Sequence, residues 1–394
     1  TGNQEIGSYN SITRYQNFGG HSNRTDYVSG SNRMIGVARA NIGNSDLSWE
    51  STASFDIGID VGLLQNRISF TADYYNKKTT DLLLNVSIPA TSGHGSILLN
   101  AGSVSNKGFE LGLNAQILQG KKLNWSSSIN FSRNRNEVLD LSGETERFVG
   151  SSSSSIFAGS NPGTNVLRVG EPMGSFYGYQ FLGIWQTPEE IAASGMKDTK
   201  IRPGDPRYAD LDGNGLINGD DRSIIGRSQP DFIYGFVNNL SYGPLTLTVL
   251  IQGVQGADIL NLNRYELENG FTTTNKVRSV KDSWTGPGTS NTMPKANSVV
   301  RRSTGVTSDI VEDGSFLRVK TITLGYDIPL PSSIKNTIKS ASIYVTGQNL
   351  ITFTKYSGYD PEVNSFGSET LSPNTDYNAY PSSKTYIAGI RFGF

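Results

Sequence analysis

Residues 52–63 read TASFDIGIDVGL. The odd positions are Ala53, Phe55, Ile57, Ile59, Val61 and Leu63, and the even ones Thr52, Ser54, Asp56, Gly58, Asp60 and Gly62. Successive side chains of a strand point to opposite faces, so this stretch forms a strand with one apolar face and one small or polar face. After a turn at Leu64–Asn66, Ile68, Phe70, Ala72 and Tyr74 alternate with Ser69, Thr71, Asp73 and Tyr75. The pattern returns with Phe109, Leu111, Leu113, Ala115 and Ile117 against Glu110, Gly112, Asn114 and Gln116. Leu123, Trp125, Ile129 and Phe131 stand likewise against Asn124, Ser126, Ser128 and Asn130. Further strands are expected at about 232–242, 245–253, 316–327, 341–349 and 384–394. At 316–327 the alternation breaks: Arg318 and Lys320 share a parity with Ile322, Leu324 and Tyr326. A bulge, or a strand end reaching into water, accounts for that.

A soluble β-sandwich alternates in the same way. Three features favour a membrane barrel instead. The strands run to ~10 residues or more, where soluble strands centre on ~5–6. The non-apolar face carries small residues and acids, as suits a water-filled lumen. Connections alternate between short ones (Leu64–Asn66, Leu118–Lys122, Tyr242–Pro244, Pro329–Ser340) and long ones (about 78–105, 134–230, 254–314 and 350–383). Short turns at one end and long loops at the other belong to outer-membrane barrels. The expected fold class is all-β, an antiparallel transmembrane β-barrel segment. Residues 1–51 would form an extracellular loop and 52–394 the C-terminal barrel strands, with the C-terminus periplasmic. The count is nine if GSFYGYQFLGIW (174–185) lies inside the long loop 134–230. A lone nine-stranded sheet leaves two open edges, which hydrocarbon does not tolerate, so the chain is expected to be part of a larger barrel.

Composition narrows the function classes. With 34 basic against 35 acidic residues there is no cationic excess to grip nucleic acid. Cysteine is absent, which removes thiolate nucleophiles and zinc–sulfur sites. Only His21 and His94 are available, so neither a Ser-His-Asp arrangement nor a histidine metal site is credible. Glycosidase chemistry needs two positioned carboxylates; Glu189, Glu190, Asp220 and Asp221 are adjacent acids of the kind that solvate a surface. No enzymatic activity is expected. No run reaches the ~18–20 apolar residues of a membrane helix, a test blind to barrels. The start, TGNQEIGSYN, shows neither the charged nor the apolar region of a signal peptide.

Residues 210–221, DLDGNGLINGDD, have the spacing of a calcium loop. Asp210, Asp212 and Asn214 hold positions 1, 3 and 5, Gly215 the turn, Leu216 a backbone carbonyl at 7, Asn218 position 9 and Asp221 position 12. Position 12 is normally a bidentate Glu, and the shorter Asp implies weaker binding. Flanking helices are missing. The alternative is an ion-free Gly/Asn/Asp turn held by side-chain-to-backbone bonds. In either case the segment reads as a staple in the longest loop, with Ca2+ as the expected structural ion.

Several runs resemble SusC/RagA-type TonB-dependent transporters: YNKKTTDLLL (75–84), NAGSVSNKGFEL (100–111), EPMGSFYGYQFLGIWQTPEEI (171–191) and GDPRYADLDGNGLINGDDRSIIGRSQPDFIYGF (204–236). So do GSFLRVKTITLGYDIP (314–329), YVTGQNLITFTKYSGYDPEV (344–363) and the terminal YIAGIRFGF, whose Tyr386, Ala388, Ile390, Phe392 and Phe394 share one face like a barrel-assembly signal. The resemblance spans the chain in order. It implies the C-terminal part of a roughly 22-stranded barrel with a plugged lumen. It further implies import of oligosaccharides or peptides across a bacterial outer membrane, driven by TonB. A SusD-like surface lipoprotein would be the partner, with pairs of the complex able to dimerise. Plug, TonB box and signal peptide would lie in a preceding part. Substrate contact would fall to loop aromatics, with Tyr27, Tyr177, Trp185, Tyr265, Trp284, Tyr356 and Tyr359 as candidates, some of which belong to a membrane-interface girdle or to loop cores. The rival reading is a β-rich surface adhesin or binding module without transport.

Overall fold

The structure is a computed structural model and describes residues 11–17, 27–30, 32–34, 37–150, 163–268, 275–298, 300, 305–334, 337–365 and 371–394. One nine-stranded antiparallel sheet dominates it. Its strands are β1 (Ser51–Leu63), β2 (Ile68–Thr80), β3 (Ser103–Gln119), β4 (Leu123–Asp140), β5 (Phe232–Tyr242), β6 (Leu245–Gln255), β7 (Phe316–Asp327), β8 (Ser340–Thr354) and β9 (Thr385–Gly393). Each pairs with its neighbours in chain order, so the sheet is an uninterrupted meander with β1 and β9 as edges. These are the strands that alternation indicated. GSFYGYQFLGIW lies outside the sheet, as expected.

The register aligns the two faces across the sheet. Val61, Phe70, Leu113, Ile129, Phe236, Ile251, Val319 and Ile351 form one row over β1 to β8. Every member is apolar, yet Ile129 is 41% and Ile351 50% exposed. A soluble fold would bury such a row; a membrane barrel turns it to lipid. On the opposite face Asp60, Thr71, Gly112, Asn130, Gly235, Gln252, Arg318 and Thr352 run side by side.

The parity break in β7 is a bulge. Val319 opposes Ile251 and Thr321 opposes Leu250, which leaves Lys320 as the extra residue. Inserting one residue exchanges the faces. Ile322, Leu324 and Tyr326 therefore share the apolar face with Val319, while Arg318 turns to the polar side.

The strands reach further toward the long-loop end than alternation suggested: β3 begins at Ser103 and β4 ends at Asp140. There Val104 and Val138 pack with Leu141 and Leu167, and Ser103, Ser105 and Asn136 are buried. Loops cover both faces at this level, so the two-sided signal disappears. In the N-terminal segment, Tyr15–Asn17 pairs with Val37–Arg39 and Tyr27–Ser29 with Asn32–Met34.

Candidate functional site

The polar face of the sheet carries a cleft of about 480 Å3, with Thr71, Asp73, Glu110, Asn130 and Gln252 among its walls. Gly112 and Gly235 contribute no side chain to its floor. The cleft can accommodate a polar chain or side chains, and its acids Asp73 and Glu110 stand directly opposite each other.

Beside it the last long loop is fastened to the wall. Arg318, 2% exposed, donates from Nη1 to Glu362 and from Nη2 to Asp360, and from Nε to Thr352 Oγ1 at 2.9 Å. Glu362 also accepts from Lys320 Nζ at 3.1 Å and from Gln252 Nε2 at 2.7 Å. Asp360 in turn accepts from the backbone N–H groups of Glu362 (2.9 Å) and Ser382 (3.2 Å). Burial pushes the Asp360 carboxyl up, but the Arg318 guanidinium and these donors hold it below the usual carboxylate range.

The long loops fold into a body of their own. Glu146–Val149, Asn165–Arg168, Ser175–Tyr179 and Arg222–Arg227 make a four-stranded sheet. Asp258–Asn261 pairs with Val311–Asp313 and, in parallel, with Thr375–Asp376 of the last loop. Phe176, Leu260, Leu262, Tyr265, Val306 and Ile310 form the shared core. Within 275–284, Arg278–Asp282 forms a short 3-10 helix.

This body holds several of the candidate aromatics as loop-core residues. Tyr177, Trp185, Tyr265 and Tyr356 are buried in it, so their rings are packing groups rather than open stacking faces. Tyr177 lies against Phe148 and under Arg168, and Trp185 under the Arg207 guanidinium at 5.3 Å. Tyr356 donates its hydroxyl to Asp376 at 2.5 Å; burial first, and then the Asp376 carboxylate, push that hydroxyl far up. Trp284 is half-buried, with Nε1 donating to Gln186 Oε1 at 3.1 Å. The side chain of Tyr27 lies outside the described residues. Tyr359 is 86% exposed, and Tyr380, which alternation and motif reading passed over, is 94% exposed. The Asp360–Ser382 bond brings their two segments together. No periodic signal marks Tyr380; the Tyr-Pro step in a long loop is its only hint.

The 210–221 loop closes on itself. The carboxylates of Asp210, Asp212 and Asp221 approach within 4.8 Å of one another. Asp210 accepts from the N–H groups of Gly213 (2.9 Å) and Gly215 (2.8 Å), and buried Asp221 from those of Leu211 (2.7 Å) and Asn218 (2.8 Å). Gly215 takes φ +82°, which a side chain would strain. Asn214 and Asn218 use their Oδ1 atoms on the N–H groups of Leu216 and Asp220. The Leu216 side chain is aliphatic and 44% exposed; its backbone carbonyl is the one group it could offer an ion. The donors are all oxygen and carry three negative charges at close range, a set that fits a hard divalent cation.

The family model described as TonB dependent receptor-like, beta-barrel matches residues 7–350. The chain belongs to the TonB-dependent receptor β-barrel family. It is 35% identical to TonB-dependent receptor P3 of Formosa agariphila over its whole length, covering 38% of that protein. It is 28% identical to TonB-dependent receptor SusC of Bacteroides thetaiotaomicron, over 89% of this chain and 32% of the relative. Among solved structures, that of the RagAB peptide transporter aligns with all of this chain and 40% of its own, with a TM-score of 0.79 and 29% identity. The resemblance to SusC/RagA-type proteins is thus borne out, and with it the all-β barrel-segment fold. The chain spans about a third to two fifths of the length of these family members, from 32% to 40%.

Proposed function

We propose that this chain supplies the C-terminal barrel wall and loop layer of a TonB-dependent importer that carries peptides or oligosaccharides across the outer membrane. The carrying observation is the two-faced sheet: an exposed apolar row on one side, and on the other a polar face with a cleft partly roofed by anchored loops. A soluble adhesin has no use for the exposed row. The short turns face the periplasm and the long loops the exterior. Import is powered through TonB by a part of the protein outside this chain, and a SusD-like lipoprotein covers the loop layer. Likeness to the RagAB peptide transporter supports a peptide substrate and such a two-component assembly. Exposed Tyr359 and Tyr380 support contact with the passing substrate, with Trp284 at the margin. Asp210, Asp212, Asn214, Leu216 (by its carbonyl), Asn218 and Asp221 would hold a Ca2+ ion that stiffens the loop.

The test is uptake. Cells lacking the gene are offered labelled oligopeptides and oligosaccharides and compared with cells carrying it. Loss of energy-dependent uptake of one class is the expected result; unchanged uptake of both contradicts the proposal.

A further inference from the structure

On the apolar face, β2, β3 and β4 change character within one residue pair toward the long-loop end. Tyr74 opposes Phe109 and Leu111 opposes Phe131. The rings of Phe109, Phe131 and Phe232 stack in sequence, with centroids 5.7 and 5.2 Å apart. Immediately beyond them Arg133 stands opposite Phe109, Lys107 opposite Arg135, and Lys78 opposite Ser105. Arg227 joins the group through Asp231, whose Oδ1 accepts from both Arg227 (2.8 Å) and Arg135.

The charges do not balance. Asp231 serves two guanidiniums, Asp258 accepts from the Arg227 backbone N–H at 2.9 Å, and Glu137 stands opposite Ser105, which leaves three acids among the five cations Lys78, Lys107, Arg133, Arg135 and Arg227. Lys107 and Arg133 are exposed; among the described residues neither makes an ion pair within 4 Å, and Arg133 acts only at longer range on the Asp231 carboxylate that Arg135 and Arg227 already hold. Like charges directly opposite in a ladder destabilise it, and Lys107 with Arg135 is such a pair. An anion seated between them would relieve the repulsion.

The geometry points to a binding site for a phosphate-bearing lipid headgroup at this rim. Acyl chains would lie along the Phe109–Phe131–Phe232 strip and the apolar rows below it, while Lys107 and Arg133 take the phosphate. An aromatic strip capped by exposed cations suits a molecule that is apolar at one end and anionic at the other. Arg offers two parallel donors to phosphate oxygens and Lys a point charge. The inference rests on the apolar face meeting lipid, and it stands apart from the transported substrate.

The full-length protein containing this segment is purified in mild non-ionic detergent and stripped of lipid. It is then titrated separately with dioleoyl phosphatidic acid, dioleoyl phosphatidylcholine and inorganic phosphate, and adducts are read by native mass spectrometry. Phosphatidic acid is expected to bind at least ~10-fold more tightly than either of the others, and less so at high salt. The pair Lys107→Gln and Arg133→Gln removes the preference, whereas Lys121→Gln with Lys122→Gln at the opposite end leaves it intact. Altered gel mobility without boiling reports folding. Should the double variant misfold, Lys107→Gln alone, a change at an exposed side chain, is expected to weaken binding at least ~3-fold. Equal binding of both lipids, binding of inorganic phosphate as tight as the lipid, or a preference untouched by either rim variant would overturn the assignment. Uptake is scored independently, so this inference and the importer reading can fail separately.

Discussion

Arg318 is the largest fully buried side chain among the described residues, and it stands in a strand whose other face meets lipid. It reaches the polar side because of the bulge at Lys320, and there it joins wall to loop through Asp360 and Glu362. Removing one partner of a buried pair leaves the other charge uncompensated, at a cost of ~3–5 kcal/mol. Arg318→Ala should therefore loosen residues 355–365 and 371–384 in the full-length protein while the strands stay protected, read by hydrogen exchange on the loop amides. The pH dependence has a definite sign. Asp360 has a folded-state pKa below its unfolded one, so its contribution is complete above the unfolded value and is lost as pH falls through the folded value. Loop protection, corrected for intrinsic exchange, should be flat from about pH 7 to pH 5 and fall only below about pH 4. A decline already complete by pH 5 would show that another group controls the contact.

At the scale of elements, the barrel strands were legible because each carries one apolar and one polar face, which writes a period of two into the sequence. The bulge was legible for the same reason, as an interruption of parity at Arg318 and Lys320. The loop body was not: its strands are short, as in Glu146–Val149 or Asp258–Asn261, and its sheets draw on loops far apart in sequence. Composition likewise cannot separate a ring packed inside a loop, such as Tyr265, from one offered at its surface, such as Tyr359 or Tyr380. The 210–221 loop lies between these cases, since its spacing was readable while its self-closing hydrogen bonds were not. An ion at ~100 times its dissociation constant would add ~2.7 kcal/mol to the closed loop. Chelation should accordingly speed tryptic cleavage at Lys197, Lys200 or Arg222 roughly tenfold or more at that loading, and Asp210→Asn with Asp212→Asn should abolish the difference. Identical digestion with and without chelator would leave the loop as a turn held by its own bonds.

For the whole molecule, the sheet makes sense only as a wall. Its edges β1 and β9 present unpaired ladders, and β1 is exposed along its full length. Relatives of which this chain covers 38–40% have ample further sequence to supply neighbouring strands. The apolar face cannot carry charge at mid-depth: an arginine there costs a barrel ~2–4 kcal/mol. The most direct test of the central claim is a spin-label accessibility scan of the full-length protein in lipid vesicles, one labelled position at a time. Labels at Phe70, Leu113 and Ile129 should collide with dissolved oxygen and be shielded from an aqueous nickel chelate. Labels at Thr71, Asn130 and Gly235 should show the reverse. Equal nickel access on both faces would contradict the reading of this sheet as the wall of a membrane barrel.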